Sequence, residues 1–412
     1  MVEERDFLLT IKEHPLEMGP KLVFADWLEE RGECERAKFL RESCQLAERP
    51  EFSPDQKLCL DRISAWFNNR QRAGQYLTLG GYAGTGKSTI IRHLAEIWPN
   101  AAVAALCGKA ANVLRCKGVQ RAQTIHSLIY EPIPDSRPVR FRRRVGLVMA
   151  SGYICRQIII DEASMVNEGM LADLLEFGVP IVFVGDHGQL EPVGRDSGIM
   201  REPGMKLEKI HRQAEGNPIL RLAKAFREGR QVPYWVDKLG RLEICPKGQF
   251  WDKLRPDMTV ICALNRTRHA INARVREMLG RKSKLPEPGD KLVCLQNHRG
   301  FQVFNGQIGI VQGVGPESGN QIEIDIRMDD DRLLRLPCRK AQFGKNKIEV
   351  HAVGMDTEAL LFDWGNCLTA HKSQGSEFDS VIVYDQPSIL WNMNRWRYTA
   401  TTRAQNYLIY CM

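Results

Sequence analysis

Along most of the chain, short apolar runs alternate with longer stretches in which apolar residues recur at helical spacing. The runs "QYLTLGG", "AAVAAL", "RQIIID" and "IVFVGD", between Gln75 and Asp186, are nearly continuous rather than two-sided. Strands of that kind are buried on both faces, which predicts a parallel α/β sheet. Each run ends where a polar or glycine-rich segment begins, and that carboxyl edge is where open α/β sheets bind ligands. A second series starts after Gly204, with a helix over "NPILRLAKAFREG", a strand "MTVICAL" and a helix through "RTRHAINARVREMLG". It resumes with "SVIVYD" and closes with "NYLIYCM". Residues 286–355 interrupt it with period-two alternation and glycine turns ("NGQIGIVQGV", "NQIEIDIRM"), predicting a small inserted β-barrel. Residues 1–48 read as helical, with Phe7, Leu8, Ile11, Leu22, Phe24, Trp27, Leu28, Phe39 and Leu40 as apolar positions. Breaks fall at His14-Pro15, Gly19-Pro20 and Arg31-Gly32, and the segment ends near the polar, proline-marked "ERPEFSPDQ".

The predicted organisation is therefore a helical N-terminal module (1–48), a first α/β domain (49–203), a second one (204–285 and 356–412) and the β insertion (286–355) within it. A length of 412 residues fits several cores better than one. With 43% hydrophobic and 26% charged residues the composition is that of a folded soluble protein, not a disordered one. The net charge of +8 is compatible with a polyanionic partner but too modest to argue for one. No apolar run approaches the roughly 20 residues that span a bilayer, so no membrane is expected. "MVEERDFLL" is acidic where a signal peptide is basic. The twelve cysteines include no C-x-x-C pair and many lie within apolar runs, so buried thiols in a reducing cytoplasm are expected.

The candidate chemistry begins in "GGYAGTGKSTII", where Gly81 to Ser88 has the spacing G-x-x-x-x-G-K-[ST] between a strand and a helix. Such a loop turns backbone N–H groups onto phosphate oxygens at a helix N-terminus. Lys87 would meet the β- and γ-phosphates, and Ser88 would offer its hydroxyl to magnesium. "IIIDEASM" ends a buried strand in Asp161 and Glu162; the first suits magnesium and the second the activation of an attacking water. "VFVGDHGQLEPVG" ends another strand in Asp186 and Gln189, whose amide can orient water near a γ-phosphate. Two arginines of the second series, Arg212 in "EKIHRQ" and Arg403 in "YTATTRA", could neutralise charge on a transferred phosphoryl group. Singly each reads as a surface charge.

In order, "FSPDQ", "GGYAGTGKST", "CGKAANVL", "TIHSL", "IIIDEASM", "VGDHGQLEPVG", "IHRQ", "LTAHKSQGSEF" and "YTATTRA" resemble the motifs of superfamily 1 helicases of the RecD and Dda type (superfamily 1B). The resemblance runs from about Glu51 to Met412. It implies two RecA-like P-loop NTPase domains, an SH3-like character for the β insertion, and 5′-to-3′ movement on single-stranded DNA. ATP and Mg2+ are the implied cofactors. Single-stranded and forked duplex DNA are the implied partners of a monomer.

Residue by residue, the resemblance implies that Gln56 reads adenine and that Glu377 lies near the ribose or the nucleotide cleft. Gly81, Gly84, Thr85, Gly86, Lys87, Ser88 and Thr89 would hold the phosphates, and Arg212 and Arg403 match two arginine fingers. Lys109, Thr124, His126, Thr369 and His371 match positions lining the strand groove. Two departures stand out: "ALCGK" where relatives read A-P-T-G-K, which removes a hydroxyl, and Glu191 where "QLPPV" carries proline.

Residues 131–153 match a pin-like insertion in shortened form, with Arg137, Arg140, Arg142, Arg143 and Arg144. These form either a solvated basic face or phosphate contacts at a fork. The segment "PKLVFADWLEERGECERAKFLR" resembles a short bacterial repeat-companion module, to which no activity is assigned; Phe24 and Trp27 read as core. The alternatives to an unwinding motor are a translocase that does not unwind, an ATP-switched nucleic-acid-binding regulator, and a metabolic P-loop kinase. The carboxylate pair and two arginines weigh against the regulator, and the second α/β domain weighs against the kinase.

Overall fold

The computed structural model describes residues 4, 7, 8, 10, 18–29, 31, 33, 34, 36, 37, 52–69, 74–133, 141–144, 146, 147, 155–192, 194–209, 216–298, 300–345 and 359–412. Arg212 of "IHRQ" lies outside the described residues, as do Arg137 and Arg140. The chain divides into two units, Met1–Pro54 and Asp55–Met412.

The first unit is built on helix α1 (Met18–Glu29). One of its stripes buries Phe24, Ala25 and Leu28 with Ala37, and Phe7 and Trp27 pack against that cluster. The Phe7 and Phe24 rings lie 5.4 Å apart, and the Arg31 guanidinium covers Trp27 at 3.7 Å. Phe24 and Trp27 therefore belong to the core of this unit, as their spacing predicts.

The second unit opens with helix α2 (Pro54–Asn68), followed by strand β1 (Tyr76–Gly81), helix α3 (Lys87–Ile97), β2 (Ala101–Ala105), helix α4 (Gly108–Cys116) and β3 (Gln123–Thr124). Helix α5 (Ile125–Ile129) leads into a hairpin, β4 (Tyr130–Pro132) and β5 (Phe141–Arg143). Then come β6 (Gln157–Asp161), helix α6 (Glu168–Leu175), β7 (Ile181–Gly185) and β8 (Met205–Leu207). Six of these strands form one parallel sheet in the order β3-β2-β6-β7-β1-β8. Its central strands are buried along their length, which is why they read as unbroken apolar runs. Strand β8 lies past residue 203 yet pairs with β1, and its Met205 and Leu207 are buried.

The remaining chain holds helix α7 (Pro218–Arg227), β9 (Trp235–Val236), β10 (Leu242–Cys245), β11 (Thr259–Cys262) and helix α8 (Asn265–Met278). Strands β12 (Lys291–Cys294), β13 (Ile308–Ser318), β14 (Gln321–Met328), β15 (Leu333–Arg339) and β16 (Phe362–Trp364) follow. It ends with β17 (Cys367–Thr369), β18 (Phe378–Tyr384), helix α9 (Met393–Thr401) and β19 (Ala404–Cys411). The second six-stranded sheet has the order β17-β11-β18-β19-β10-β9, parallel except for the edge strand β9.

The insertion is a five-stranded antiparallel sheet, β15-β14-β13-β12-β16. Ile322, Ile324, Ile326 and Met328 of β14 alternate into its core, as period two requires. It takes β16 from beyond residue 355, with Val293 opposite Asp363. Helix α8 fastens it to the second α/β domain through a polar face. Arg268 pairs with Asp363 at 2.9 Å with both side chains buried, and Arg276 reaches Asp290 at 3.1 Å. Between them Asn272 bonds the Trp364 and Cys367 carbonyls and the Cys367 amide. Removing one partner of such a buried pair costs about 3–5 kcal/mol. Among the described residues no helix is long and apolar enough to cross a membrane.

Candidate nucleotide cleft and strand groove

The sheet order β6-β7-β1 sets three loops side by side at the carboxyl edge, and these carry the predicted chemistry. After β1 the chain turns through Gly84 and Gly86, at φ +80° and +82°, where a Cβ is disfavoured. At Gly81 a Cβ would fall 2.6 Å from the Thr85 hydroxyl, so that position is closed to larger residues. Thr85 is buried and donates to the Tyr82 carbonyl at 2.9 Å, which fixes the loop. Helix α3 then starts at Lys87 with no side chain capping its first amides, leaving a phosphate-ready terminus. Lys87 Nζ donates to the Gly81 and Tyr82 carbonyls at 2.7 and 2.9 Å. Gln56 is buried and donates to the Thr85 carbonyl at 3.1 Å, so it braces the loop from α2.

A cleft of 630 Å³ gathers Gly84, Gly86, Lys87, Ser88, Thr89, Asp161, Glu162, Gln189, Glu377 and Arg403. Asp161 accepts from the Glu162 amide at 2.9 Å, and burial raises its pKa. Glu162 stands at φ +53°, a strained setting for a residue with a Cβ, and this turn aims its carboxylate inward. Burial, and then the neighbouring Asp161, push its pKa up to about 7, which suits a group that takes a proton from water near neutral pH. Glu162 Oε2 and Gln189 Oε1 are buried with no hydrogen-bond partner among the described residues. Both are acceptors facing a cleft.

Arg403 comes from the other sheet, at the turn between α9 and β19. It is buried and held by the Thr399, Ser373 and Ser376 carbonyls at 3.0, 3.3 and 2.8 Å, so the guanidinium is aimed before any ligand arrives. Glu377 is exposed at the cleft rim and accepts from Gln405 at 2.9 Å.

Among the described residues no cluster of three or more His, Cys, Asp or Glu side chains could hold a metal by itself. An ion between Asp161 and Ser88 would thus take the rest of its shell from phosphate oxygens and water, the habit of magnesium. The donor set fits that ion. Lys117, which donates to Ser88 Oγ at 3.4 Å, also lines the cleft, as do Asp329 and Asp330 of the insertion. The sequence reading singles out none of the three.

A second cleft, of 620 Å³, is lined by Leu190, Glu191 and Pro192 from the first domain and by Thr369, His371, Trp391 and Arg395 from the second. Thr369 and His371 both line this space. Burial lowers the His371 pKa, and the ring lies beside Trp391, 5.4 Å away. Glu191, at the position where proline is usual, pairs across the domains with Arg395 at 3.3 Å.

A narrower cavity of 180 Å³ is lined by Lys109, Glu162 and His371, among others. Lys109 is buried and ion-paired with Asp329 at 3.0 Å. Thr124 and His126 line none of these three spaces. The Thr124 hydroxyl caps α5, accepting from the Ser127 amide at 3.1 Å, while the exposed His126 ring lies 4.6 Å from Tyr130. Cys107, the departure from a threonine, caps α4 with its sulfur, which accepts from the Ala110 amide at 3.4 Å. In the shortened insertion, Arg142 and Arg144 pair with Glu131 at 2.9 and 3.6 Å, and Arg143 pairs with Glu176. Those three arginines are occupied by carboxylates.

Comparison with known proteins matches residues 66–245 to an AAA domain and residues 365–410 to a UvrD-like helicase C-terminal domain. The chain is 29% identical over 378 residues to the ATP-dependent RecD2 DNA helicase of Deinococcus radiodurans, covering 82% of this chain and 47% of that protein. Over 127 residues it is 30% identical to the ATP-dependent DNA helicase dda of Enterobacteria phage T4, covering 29% and 28% of the two chains. A solved structure of two coordinating Pif1 helicases unwinding forked duplex DNA superposes with a TM-score of 0.58 at 21% identity, covering 88% of this chain and 92% of that one. The chain spans about half the length of its RecD2 relative, 47%. The shared fold makes the two six-stranded sheets a pair of RecA-like domains. The motif series, the cleft geometry and these relatives together make the chain similar to the superfamily 1B helicases of the RecD and Dda type.

Proposed function

We propose that this chain is an ATP-dependent DNA helicase that moves 5′-to-3′ on single-stranded DNA and unwinds duplex by hydrolysing Mg-ATP between its two RecA-like domains. The observation that carries the reading is Arg403, supplied by the second domain to the cleft that holds Lys87, Asp161, Glu162 and Gln189 of the first. A cleft completed from both sides couples hydrolysis to the relative position of the domains, which is what a motor requires.

In the reaction, the amides of 84–88 and Lys87 bind phosphate; Asp161 and Ser88 would hold magnesium, which would supply neutralisation of phosphate charge. Glu162 accepts the proton of the attacking water, Gln189 orients that water, and Arg403 stabilises the charge that builds on the transferred group. The Gln56 amide, braced on the loop, is assigned to the adenine edge, and Glu377 at the rim to the ribose. We assign Arg212 as the second arginine finger.

The 620 Å³ groove with Thr369, His371 and Trp391 is assigned to the strand. Lys109, Thr124 and His126 extend its path across the first domain. Residues 49–203 extended by β8 form one motor domain and the rest of 204–285 and 356–412 the other, while 286–355 completed by β16 is taken as an SH3-like insertion and 131–153 as a reduced pin. The chain is placed in the cytoplasm and acts as a monomer.

A reading as a translocase that does not unwind draws on the hairpin β4–β5, whose strands are three residues each and whose arginines are paired with acids. Duplexes with a 5′ or a 3′ single-stranded tail separate the readings. Strand separation on the 5′-tailed duplex alone is the expected result. Displacement of a bound protein block without strand separation supports the translocase, and activity confined to the 3′ tail contradicts the assigned direction.

A further inference from the structure

One buried group behind the nucleotide cleft has no role in the hydrolytic set: the phenol of Tyr398, on the helix that leads to Arg403. Its hydroxyl donates to Asp186 Oδ2 at 2.6 Å and accepts from the Ala83 amide of the phosphate loop at 3.0 Å. Asp186 in turn accepts from the Gly188 amide at 2.9 Å and from Gln189 Nε2 at 3.3 Å. Tyr398, Asp186 and Gln189 are all buried, at 2%, 0% and 4% exposure. The same helix grips the next residues as well, since Thr399 Oγ1 accepts from the Leu190 amide at 3.0 Å. Tyr82, next to Ala83, packs between His187 at 4.3 Å and the Arg227 guanidinium at 3.5 Å.

The orientation of Gln189 follows from this chain of bonds. An ionised carboxylate only accepts, so Gln189 must present its NH₂ to Asp186. Its carbonyl oxygen is then turned to the cleft, and Gln189 Oε1 is the atom that lacks a partner among the described residues. Asp186 is fixed in turn by the tyrosine, whose pKa is pushed well above its ordinary range by burial and then by that carboxylate, so it stays a donor. A short O–H···O⁻ bond in a buried setting is among the stronger contacts a side chain makes.

We propose that Tyr398 is a positioning residue for hydrolysis: through Asp186 it sets the Gln189 carboxamide, and it does so from the domain that carries the arginine finger. Water is therefore oriented only when the second domain is docked on the phosphate loop. The inference deepens the proposed motor and rests on it.

The test is steady-state ATP hydrolysis, with and without oligo(dT), for the wild type, Tyr398→Phe, Gln189→Ala and the double variant. Tyr398→Phe is expected to lower the strand-stimulated kcat by about tenfold to a hundredfold, the value of a hydrogen bond to a charged group. KM for ATP should stay unchanged, because the lost orientation acts in the transition state. The double variant should be no slower than Gln189→Ala alone, since both changes remove one function.

Should Tyr398→Phe fail to fold, Asp186→Asn keeps the tyrosine in place. It lets Gln189 flip and should give the same deficit and the same non-additivity. Effects that multiply, or a raised KM at unchanged kcat, overturn the inference while leaving the motor intact. A wild type that shows no strand-stimulated hydrolysis overturns the motor, and the inference with it.

Discussion

The nucleotide cleft and the strand groove lie in the same unit, yet the sequence describes the two with unequal success. In the cleft, the described members of the predicted set other than Gln56, Gly81 and Thr85 line one 630 Å³ space, and those three shape the loop beside it. Of the residues predicted for the groove, Thr369 and His371 line it, but Lys109 lines the nucleotide cleft and the narrower cavity, paired with Asp329, and Thr124 is spent capping a helix. The difference is one of construction. Phosphate is bound chiefly by backbone, so a fixed spacing of glycines, lysine and a strand end is enough to make the site. A strand groove is built from side chains on several elements, and a hydroxyl or ammonium there can be claimed by the fold before any ligand arrives.

The largest effect that sharpens this contrast is expected at Arg403. Arg403→Lys keeps a charge but loses the fork that bonds three carbonyls, and loss of an arginine finger costs about 10³ to 10⁵ in kcat. Single-turnover hydrolysis with saturating DNA reads it, with nucleotide binding retained. A loss of less than tenfold would remove Arg403 from the transition state.

A smaller effect is expected where the groove is occupied. Asp329→Asn frees the buried Lys109 from a carboxylate that is itself partly exposed, so single-strand affinity should tighten by about tenfold, the value of a hydrogen bond to a charged group. Fluorescence anisotropy with a labelled oligonucleotide measures it; weaker binding would mean that Asp329 supports the groove instead of blocking it. The smallest effect belongs to the shortened pin. Replacing Arg142, Arg143 and Arg144 with alanine should leave the salt dependence of DNA affinity unchanged, because their partners are Glu131 and Glu176. Three lost phosphate contacts would instead flatten the slope by about two to three units.

The same physical reason governs what was legible in the fold. The strands β1, β2, β6, β7, β11, β18 and β19 are buried along their cores and announce themselves as apolar runs. The two- and three-residue strands β3, β8 and β16 give too short a pattern for periodicity to register. Helix α8, "NRTRHAINARVREM", is predicted as a helix, but the burial of its Arg268, Asn272 and Arg276 is not. Their spacing of four and four places three polar residues on one stripe, and that was the available signal.

The short insertion "RPVRFRRRVG" shows the opposite error. A run of arginines draws attention to phosphate, while the acids that pair with it are as far off in sequence as Glu176. Tyr398 stood inside a quoted motif, "YTATTRA", but its partner Asp186 is more than two hundred residues away. No spacing rule connects them.

The central claim is that hydrolysis in the cleft is driven by a strand in the groove. Steady-state ATP hydrolysis with and without single-stranded DNA, beside Glu162→Gln, tests it most directly. Strong stimulation by DNA is expected, and its loss by about 10² to 10⁴ in the variant, the contribution of a positioned general base. Hydrolysis indifferent to DNA, or stimulation that survives Glu162→Gln, would contradict it.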